Sequence, residues 1–381
     1  MRDAMERLTM WAVVLCLAGC AAGEVVPAGR DVAALRFIGE QRIAWKAQFQ
    51  GTTIGGLSGI DYDAANGSWI LASDDRSATN PARFYRATLR FTPSSFDAVE
   101  LTAVRYFRQG DGSTYPVEHE RAQAGGVVAD IESARIDPRD GTIWYTSEGD
   151  GRLGLDPFLR QADAAGLLRA ELPLPASLRE WPGHERGVRN NLNLEGLSFA
   201  PDGASLWLAL EAPLVEDGLP PTLDHGAPAR ITHLDRAGKV LAQYAYPIGA
   251  IPARPGNGMA ADTGISEILA TGPRTLLVLE RSAVQGDEGR YRNHIRLYEA
   301  DLRQASDIRG VPALAGATFA PAAKRLVLDF AALGLPMLDN VEGFAFGPPL
   351  PNGHATLVFV TDDNFSKRQV TQLLLFEVLP P

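Results

Sequence analysis

Acidic residues recur at equivalent positions in five similar segments of the chain. Each segment alternates apolar and polar residues, turns, and alternates again, which predicts a β-hairpin. In three segments an acid opens the first strand, at Glu132, Glu195 and Glu342, whereas the other two have Ser58 and Ser266 there. An acid closes the second strand in all five: Asp74, Glu148, Glu211, Glu280 and Asp362. Because acids are depleted in strands, this recurrence indicates a shared role.

The two ends of a hairpin lie side by side. A ring of such hairpins would therefore collect up to eight carboxylates at one mouth of its central channel. Glu267, beside Ser266, is a candidate substitute for the missing acid. Close carboxylates raise one another's pKa unless a cation relieves the repulsion. Ca²⁺ and Mg²⁺ prefer such oxygen ligands. The alternative is structural: acids that accept backbone N–H groups at the strand ends.

Candidate partners for these acids, and for an anionic ligand, lie nearby in the sequence. The basic residues within a few positions of a registered acid are Arg76, Arg189, Arg281, Lys367 and Arg368. The stretch "GVRNN" at 187–191 adds the amide of Asn191 just before Glu195. Guanidinium and amide groups are good donors to phosphate oxygens. The other interpretation of the asparagines is that they form turns.

The spacing of the five segments predicts the elements that position these residues. The registered residues are 74, 63, 71 and 76 positions apart, which leaves room for two more strands in each interval. Four-stranded units repeated around a ring form a β-propeller. The last repeat has one following strand, so residues 35–49 would supply its fourth. We therefore predict an all-β chain, a β-propeller with five blades favoured and six open, closed by an N-terminal strand; two stacked β-sandwich domains are the alternative.

Residues 156–191 depart from this pattern. They are rich in Arg and interrupted by Pro. We interpret them as a long loop or cap over one face of the propeller.

The composition excludes several classes of function. The 381 residues carry a net charge of −10 and no run of Lys or Arg, which argues against nucleic acid as a partner. The six His show no spacing typical of metal ligands, and the sequence has neither a Gly-x-Ser-x-Gly elbow nor a P-loop. We expect a small phosphorylated or ester substrate, if the protein is an enzyme, and favour a monomer.

The N-terminus predicts export. Residues 8–20 form an apolar run too short to span a bilayer, and it ends in Leu17-Ala18-Gly19-Cys20, which matches a lipobox. We predict a lipoprotein signal peptide at 1–19, lipidation of Cys20, a tether at 20–34 and a propeller domain at 35–381. This places the protein at the periplasmic face of a bacterial membrane, the outer membrane being favoured over the inner. A plain secretory signal with an incidental Cys20 is the alternative.

Three stretches resemble the phytase-like domain of bacterial exported proteins, whose family carries the label "esterase-like activity of phytase". They are "GVRNNLNLEGLSFAPDG", "GISEILATGPRTLLVLERS" and "NVEGFAFG" with "VFVTDDNFSKRQVTQLLLFEV". The resemblance runs from about residue 40 to the C-terminus and implies an exported β-propeller with an esterase or phosphoesterase reaction. It also implies Ca²⁺ in an acidic mouth, with bound metal bridging substrate phosphates. By motif position the matching acids are Glu132, Glu195, Glu342, Asp362 and Asp363.

Three hypotheses follow. The first is a metal-dependent hydrolase of phosphate esters, in which Glu195 or Glu342 orients water and Arg189, Asn191, Arg281 and Lys367 hold phosphate oxygens. Its metal ligands would be Glu132, Glu195, Glu211, Glu342, Asp362 and Asp363. The second is a non-catalytic periplasmic propeller that binds a ligand or protein. The third is a lactonase- or carboxylesterase-type metal hydrolase.

Overall fold

The computed structural model describes residues 30–117, 126–179 and 185–381. The predicted signal peptide, Cys20 and the first ten residues of the predicted tether lie outside the described residues. The described chain contains five four-stranded antiparallel sheets and one two-stranded sheet. The five large sheets are the blades of a β-propeller, so the predicted all-β, five-bladed fold is confirmed.

Each of the first four blades is built from consecutive strands, which run outwards from the strand nearest the central axis. Blade 1 comprises β4 (Leu57–Asp63), β5 (Ser68–Ser73), β6 (Arg83–Thr92) and β7 (Ser95–Tyr106). Blade 2 comprises β8 (Ala134–Ile136), β9 (Ile143–Ser147), β10 (Phe158–Ala162) and β11 (Leu168–Leu172). Blade 3 comprises β12 (Leu194–Phe199), β13 (Ser205–Leu210), β14 (Ala227–Asp235) and β15 (Val240–Ile248). Blade 4 comprises β16 (Ala261–Gly272), β17 (Thr275–Gln285), β18 (Tyr291–Asp301) and β19 (Ala323–Asp329).

The fifth blade joins the two ends of the described chain. It comprises β20 (Asn340–Gly347), β21 (Thr356–Asp362), β22 (Thr371–Leu379) and, as its outer strand, β1 (Ala34–Ile43). The antiparallel pairing of β1 with β22 runs from Ala34 opposite Leu379 to Ile43 opposite Thr371. The closing strand therefore comes from the predicted N-terminal segment. That segment was expected to continue to residue 49, but its end forms a separate hairpin of β2 (Gln48–Phe49) and β3 (Thr52–Thr53).

Short 3-10 turns are the only helical elements in the described part of the chain. They are Gly151–Leu153, Ala176–Leu178, Val215–Asp217 and Phe330–Leu333. Within the described ranges, no helix has the length and apolar character needed to cross a bilayer.

The interpretation of residues 156–191 as a cap is wrong for most of their first half, because β10 and β11 lie there. Arg160, one of the arginines that suggested a surface loop, is largely buried. The guanidinium of Arg160 pairs with Glu171 at 2.7 Å and lies over the ring of Phe158, 3.9 Å from its centroid. It also donates to the Tyr115 hydroxyl at 2.9 Å. A charge that is paired and stacked in this way can sit in a sheet, which composition alone does not reveal.

One buried arginine connects the innermost strands of all five blades. Arg135 on β8 is 2% exposed and pairs with Glu267 of β16 at 2.7 Å. Its guanidinium also donates to one backbone carbonyl of each other inner strand: Ile60, Leu197, Ile268 and Phe344, at 2.6 to 3.1 Å. The side chain therefore lies where the five inner strands converge, on the propeller axis.

Candidate functional site

A β-bulge turns the registered residue of four inner strands out of the ladder. The antiparallel register shifts by one residue at Leu57/Gly59, Leu194/Gly196, Ile265/Glu267 and Val341/Gly343. The extra residue at these shifts is Ser58, Glu195, Ser266 and Glu342, respectively. In blade 2, Glu132 lies just before the short β8. Bulges commonly re-aim a side chain next to a functional site, and here they direct Glu195 and Glu342 into a cavity.

The acids that close the second strands meet the start of the first strands, as the hairpin pattern predicted. The backbone N–H of Glu148 donates to Asp130 O at 3.1 Å, and that of Glu211 donates to Asn193 O at 2.7 Å. In blade 5, Asn340 lies opposite Asp362. Each pairing holds two polar side chains side by side at the same end of the channel.

The cavity at this end, which we call the acidic mouth, has a volume of about 1060 Å³. Ten carboxylates line it: Asp74, Asp75, Asp130, Glu132, Glu148, Glu195, Glu211, Asp262, Glu342 and Asp362. Seven of them are acids that the repeat placed in register. Asp75, Asp130 and Asp262 were missed, although Asp75 and Asp130 lie within two positions of registered acids and that proximity was a usable signal.

The carboxylate oxygens approach one another closely enough to share cations. In three trios within the described ranges, one oxygen from each member lies within 4.8 Å of the others. The trios are Asp74–Glu132–Glu342, Asp130–Glu132–Glu148 and Glu148–Glu195–Glu211. Glu132 and Glu148 each belong to two trios, so both are placed to bridge neighbouring ions.

Burial and mutual repulsion raise the pKa values of these carboxyl groups. Burial, and then the charges of Glu195 and Asp130, raise the pKa of Glu132 well above its usual range. The pKa of Glu195 is raised in the same way by burial and by Glu211 and Glu148. Burial raises the pKa of Glu211 to about 7, although Arg281 opposes the shift. Full ionisation near neutral pH therefore requires positive charge in the acidic mouth.

Two guanidinium groups line the acidic mouth within the described part of the chain, and both are already paired. Arg281 lies 2.9 Å from Glu211 and 3.8 Å from Glu342. Burial by itself lowers the pKa of Arg281, but those carboxylates outweigh it and raise the pKa above its ordinary value. Arg76 pairs with Asp130 at 2.5 Å and donates to the side-chain oxygen of Asn191. Two cations cannot balance ten carboxylates.

Glu342 presents an oxygen that nothing in the described structure satisfies. Its Oε1 accepts from Asn340 Nδ2 at 2.7 Å. Its Oε2 is buried and has no hydrogen-bond partner among the described residues, and the residue as a whole is 8% exposed. A buried unpartnered oxygen among other carboxylates is the donor set that a hard cation such as Ca²⁺ would complete.

Some predicted site residues lie elsewhere. Arg189 donates to Pro213 O at 3.0 Å and Gly218 O at 2.7 Å, and does not line the acidic mouth. Lys367 is exposed in the loop between β21 and β22, also outside the cavity lining. Asp363 accepts from the backbone N–H groups of Gly56 and Phe365, both at 3.1 Å. Asn191, by contrast, lines the cavity.

The acids of blade 4 have structural partners. Glu280 pairs with Lys324 at 2.5 Å and accepts from the Tyr246 hydroxyl at 2.7 Å. Glu267 accepts from Ser133 at 2.7 Å as well as pairing with Arg135. Both acids also accept backbone N–H groups, as the structural alternative expected: Glu267 from Leu197 and Ile268, and Glu280 from Gly249. Blade 4 therefore contributes Arg281 and Asp262 to the acidic mouth, while Glu267 and Glu280 have partners within the fold.

Comparison with known proteins adds a family match. A family model described as "Phytase-like: Esterase-like activity of phytase" matches residues 52–365. No curated protein sequence matches the chain.

Similarity to solved structures is distant. An oxidoreductase from Thermus thermophilus, described as a glucose dehydrogenase, is 10% identical over 90% of this chain and 100% of that one, with a TM-score of 0.35. A member of the DUF4221 family from Bacteroides vulgatus is 10% identical over 87% of this chain and 78% of that one, with a TM-score of 0.31. Similarities this remote say nothing about function.

Proposed function

The chain belongs to the phytase-like family, and we propose that it is a metal-dependent hydrolase of phosphate esters that uses calcium at the acidic mouth. The observation that carries the proposal is the excess of buried, closely spaced carboxylates over the guanidinium groups beside them. Such a cluster is costly to ionise unless cations bind, so its presence indicates a binding role.

The trios identify the residues that would hold calcium. The trio of Asp130, Glu132 and Glu148 and the trio of Glu148, Glu195 and Glu211 share one carboxylate. Five side chains could therefore hold two ions. Carboxylates alone, without His or Cys, suit Ca²⁺ better than Zn²⁺. Bound calcium would offset the carboxylate charge and polarise a phosphoryl oxygen of the substrate.

The remaining lining residues would position the reactants. We assign Glu342, rather than Glu195, to the attacking water, because Glu195 belongs to one of the two trios that would hold calcium and Glu342 belongs to neither. Arg281 and Arg76 would hold the non-bridging phosphate oxygens, helped by the amide of Asn191. Glu342 would take a proton from the water as the water oxygen bonds to phosphorus and the bond from phosphorus to the ester oxygen breaks. The leaving oxygen would take a proton from solvent, and Glu342 would later return its own proton to solvent.

Phosphate release from p-nitrophenyl phosphate tests this proposal. We expect chelator-treated protein to be inactive and to regain activity with calcium, whereas Glu342→Gln should lose at least a hundredfold in rate with calcium present. Glu100→Gln is the matched control, because Glu100 is an exposed partner of Arg90 and does not line the acidic mouth. Absence of phosphate release with calcium, magnesium or zinc would contradict the proposal.

The same preparation separates the alternatives. Calcium binding without cleavage of any ester would favour a non-catalytic binding propeller. Cleavage of a lactone or a carboxylic ester, with no release of phosphate, would favour the lactonase- or carboxylesterase-type hydrolase. We propose a monomer that acts on a small substrate and does not bind nucleic acid, consistent with the net charge of −10.

We further propose that Cys20 carries a lipid which anchors the protein at the periplasmic face of the outer membrane. The support is the apolar run that ends in the lipobox match. Wild-type protein should fractionate with membranes and Cys20→Ser should be soluble. Equal distribution of the two forms would contradict the anchor.

A further inference from the structure

Part of the wall of the acidic mouth is apolar. Val117, Leu153, Leu192, Tyr291 and Phe365 line it together with the carboxylates. Tyr291 is 53% exposed, which is unusual for a large aromatic side chain. Aromatic surface that borders a cavity provides contact area for an apolar part of a ligand.

The loop that holds Phe365 at this wall has a strained backbone that several hydrogen bonds keep in place. Phe365 and Asn364 both have left-handed backbones, with φ of 50° and 45°, which is unfavourable for phenylalanine. The Asp363 carboxylate accepts the N–H groups of both Phe365 and Gly56 at 3.1 Å, and the Trp45 indole donates to Phe365 O at 3.2 Å. Strain maintained by several contacts is typical of a functional position.

Gly56 makes room for the phenylalanine ring. Its φ is 60°, and a Cβ added there would lie 2.9 Å from Phe365 Cε2 and 2.4 Å from Asp74 Oδ1. A side chain at position 56 would therefore displace both Phe365 and Asp74. The hydrogen bonds made by Asp363 hold Phe365 in position.

Charge in the acidic mouth argues against a polyanionic substrate. Asp75 is paired with buried Arg83 at 2.6 Å, which leaves nine lining carboxylates against two guanidinium groups, a formal charge of −7. One divalent cation in each of the three trios would still leave −1. Lys367 and Arg189, which could have added positive charge, lie outside the cavity lining. A ligand with many phosphates would add many negative charges that this site cannot neutralise, whereas a single phosphate adds at most about two.

We infer that this site takes phosphate monoesters of apolar alcohols, aromatic ones above all, and that Phe365 and Tyr291 contact the alcohol group. The inference rests on the proposed phosphoesterase function and names its substrate class. A head group with one phosphate brings less negative charge into the acidic mouth than a ligand with many phosphates does. The apolar wall then supplies the specificity that the charges do not.

Binding of non-hydrolysable probes tests this without relying on activity. Calcium-loaded full-length protein is titrated calorimetrically with phenylphosphonate, methylphosphonate and inositol hexakisphosphate. We expect phenylphosphonate to bind about tenfold more tightly than methylphosphonate, the difference that one aromatic contact provides. Inositol hexakisphosphate should bind more weakly than phenylphosphonate.

Variants assign the preference to the two side chains. Phe365→Asn removes the ring but keeps a residue that tolerates a left-handed backbone, and Tyr291→Ala acts at an exposed position, so folding should survive in at least the second. Each should lose most of the tenfold preference. Phe365→Tyr should keep it, and Leu219→Ala, which alters a 78% exposed leucine outside the cavity lining, should leave it unchanged.

The outcomes separate this inference from the proposed function. Equal affinity for the two small phosphonates, tighter binding of inositol hexakisphosphate, or no binding at all would overturn the inference, even if phosphate esters are cleaved. A retained aromatic preference without hydrolysis would leave the binding specificity standing and contradict the phosphoesterase.

Discussion

Glu342 is a buried carboxylate with a satisfied oxygen on one side and an unsatisfied one on the other. Asn340 and, at 3.8 Å, Arg281 lie near its Oε1, while Oε2 has no hydrogen-bond partner among the described residues. Burial raises its pKa, although Arg281 and Asn340 oppose the shift. We therefore expect this residue to serve binding at the expense of stability.

Replacing Glu342 should therefore affect stability and metal affinity in opposite directions. We expect Glu342→Gln to stabilise the chelator-treated protein by about 1 kcal/mol, because one buried repelling charge is removed. The same change should weaken calcium binding at least tenfold. Urea unfolding and calorimetric titration measure the two effects, with Glu100→Gln as the surface control. Destabilisation together with unchanged calcium affinity would show that Glu342 is structural.

The element that positions Glu195 and Glu342 is a bulge, which occurs in four of the five inner strands and is followed by glycine in three of them. At Gly343 the neighbouring inner strands come so close that a Cβ would lie 2.2 Å from the backbone oxygen of Ser58. Backbone cannot move aside as a side-chain tip can. Glycine is therefore required here by the close approach of two blades.

Gly343→Ala should destabilise the protein by about 2 to 3 kcal/mol, the usual effect of overpacking. Gly110→Ala is the matched control, because a Cβ there would have nothing within 4 Å. Denaturant midpoints for the two variants make the comparison. Equal midpoints would mean that the blades can separate at this point without cost.

Sequence patterns predicted the positions of the hairpins well, but they predicted the directions of individual side chains poorly. The alternation and the spacing near 70 residues identified the hairpins of all five blades, because both can be read from the sequence without knowing how the strands pair. The bulges were not predictable, since a bulge exists only in the pairing of two strands. Arg189 and Lys367 were assigned to the mouth because they are close to acids in sequence. Nearness along a loop does not fix where a side chain points, and neither lines the cavity.

At the scale of the whole molecule, Arg135 holds the blades together at the axis. Its replacement by Met would leave Glu267 without its charge partner and would remove the guanidinium donor from four backbone carbonyls. We expect Arg135→Met to cost about 3 to 5 kcal/mol, as for other broken buried ion pairs. Arg90→Met, at an exposed pair, should have little effect on the thermal midpoint. Similar midpoints for both variants would contradict a central role for Arg135.

The carboxyl groups of Glu211, in the acidic mouth, and of Glu267, the buried partner of Arg135, should also set the pH dependence of stability. Folding raises the pKa of Glu211 and of Glu267 to about 7, so the folded state binds more protons than the unfolded state between about pH 4.5 and 7. The stability of the chelator-treated protein should therefore fall as pH rises through this window. Calcium favours the ionised acids of the mouth, so its stabilising effect should grow with pH. Thermal melting between pH 5 and 8, with chelator or calcium, tests both trends, and parallel curves would contradict them.

We expect the acidic mouth to bind divalent cations, and titration of chelator-treated protein with calcium measures that binding. We expect at least two ions per chain in the wild type, with release of protons at pH 7. Glu148→Gln should lose more than one site, since Glu148 belongs to two trios. No heat of binding, together with the same melting temperature in calcium as in chelator, would show that the acidic mouth does not bind calcium.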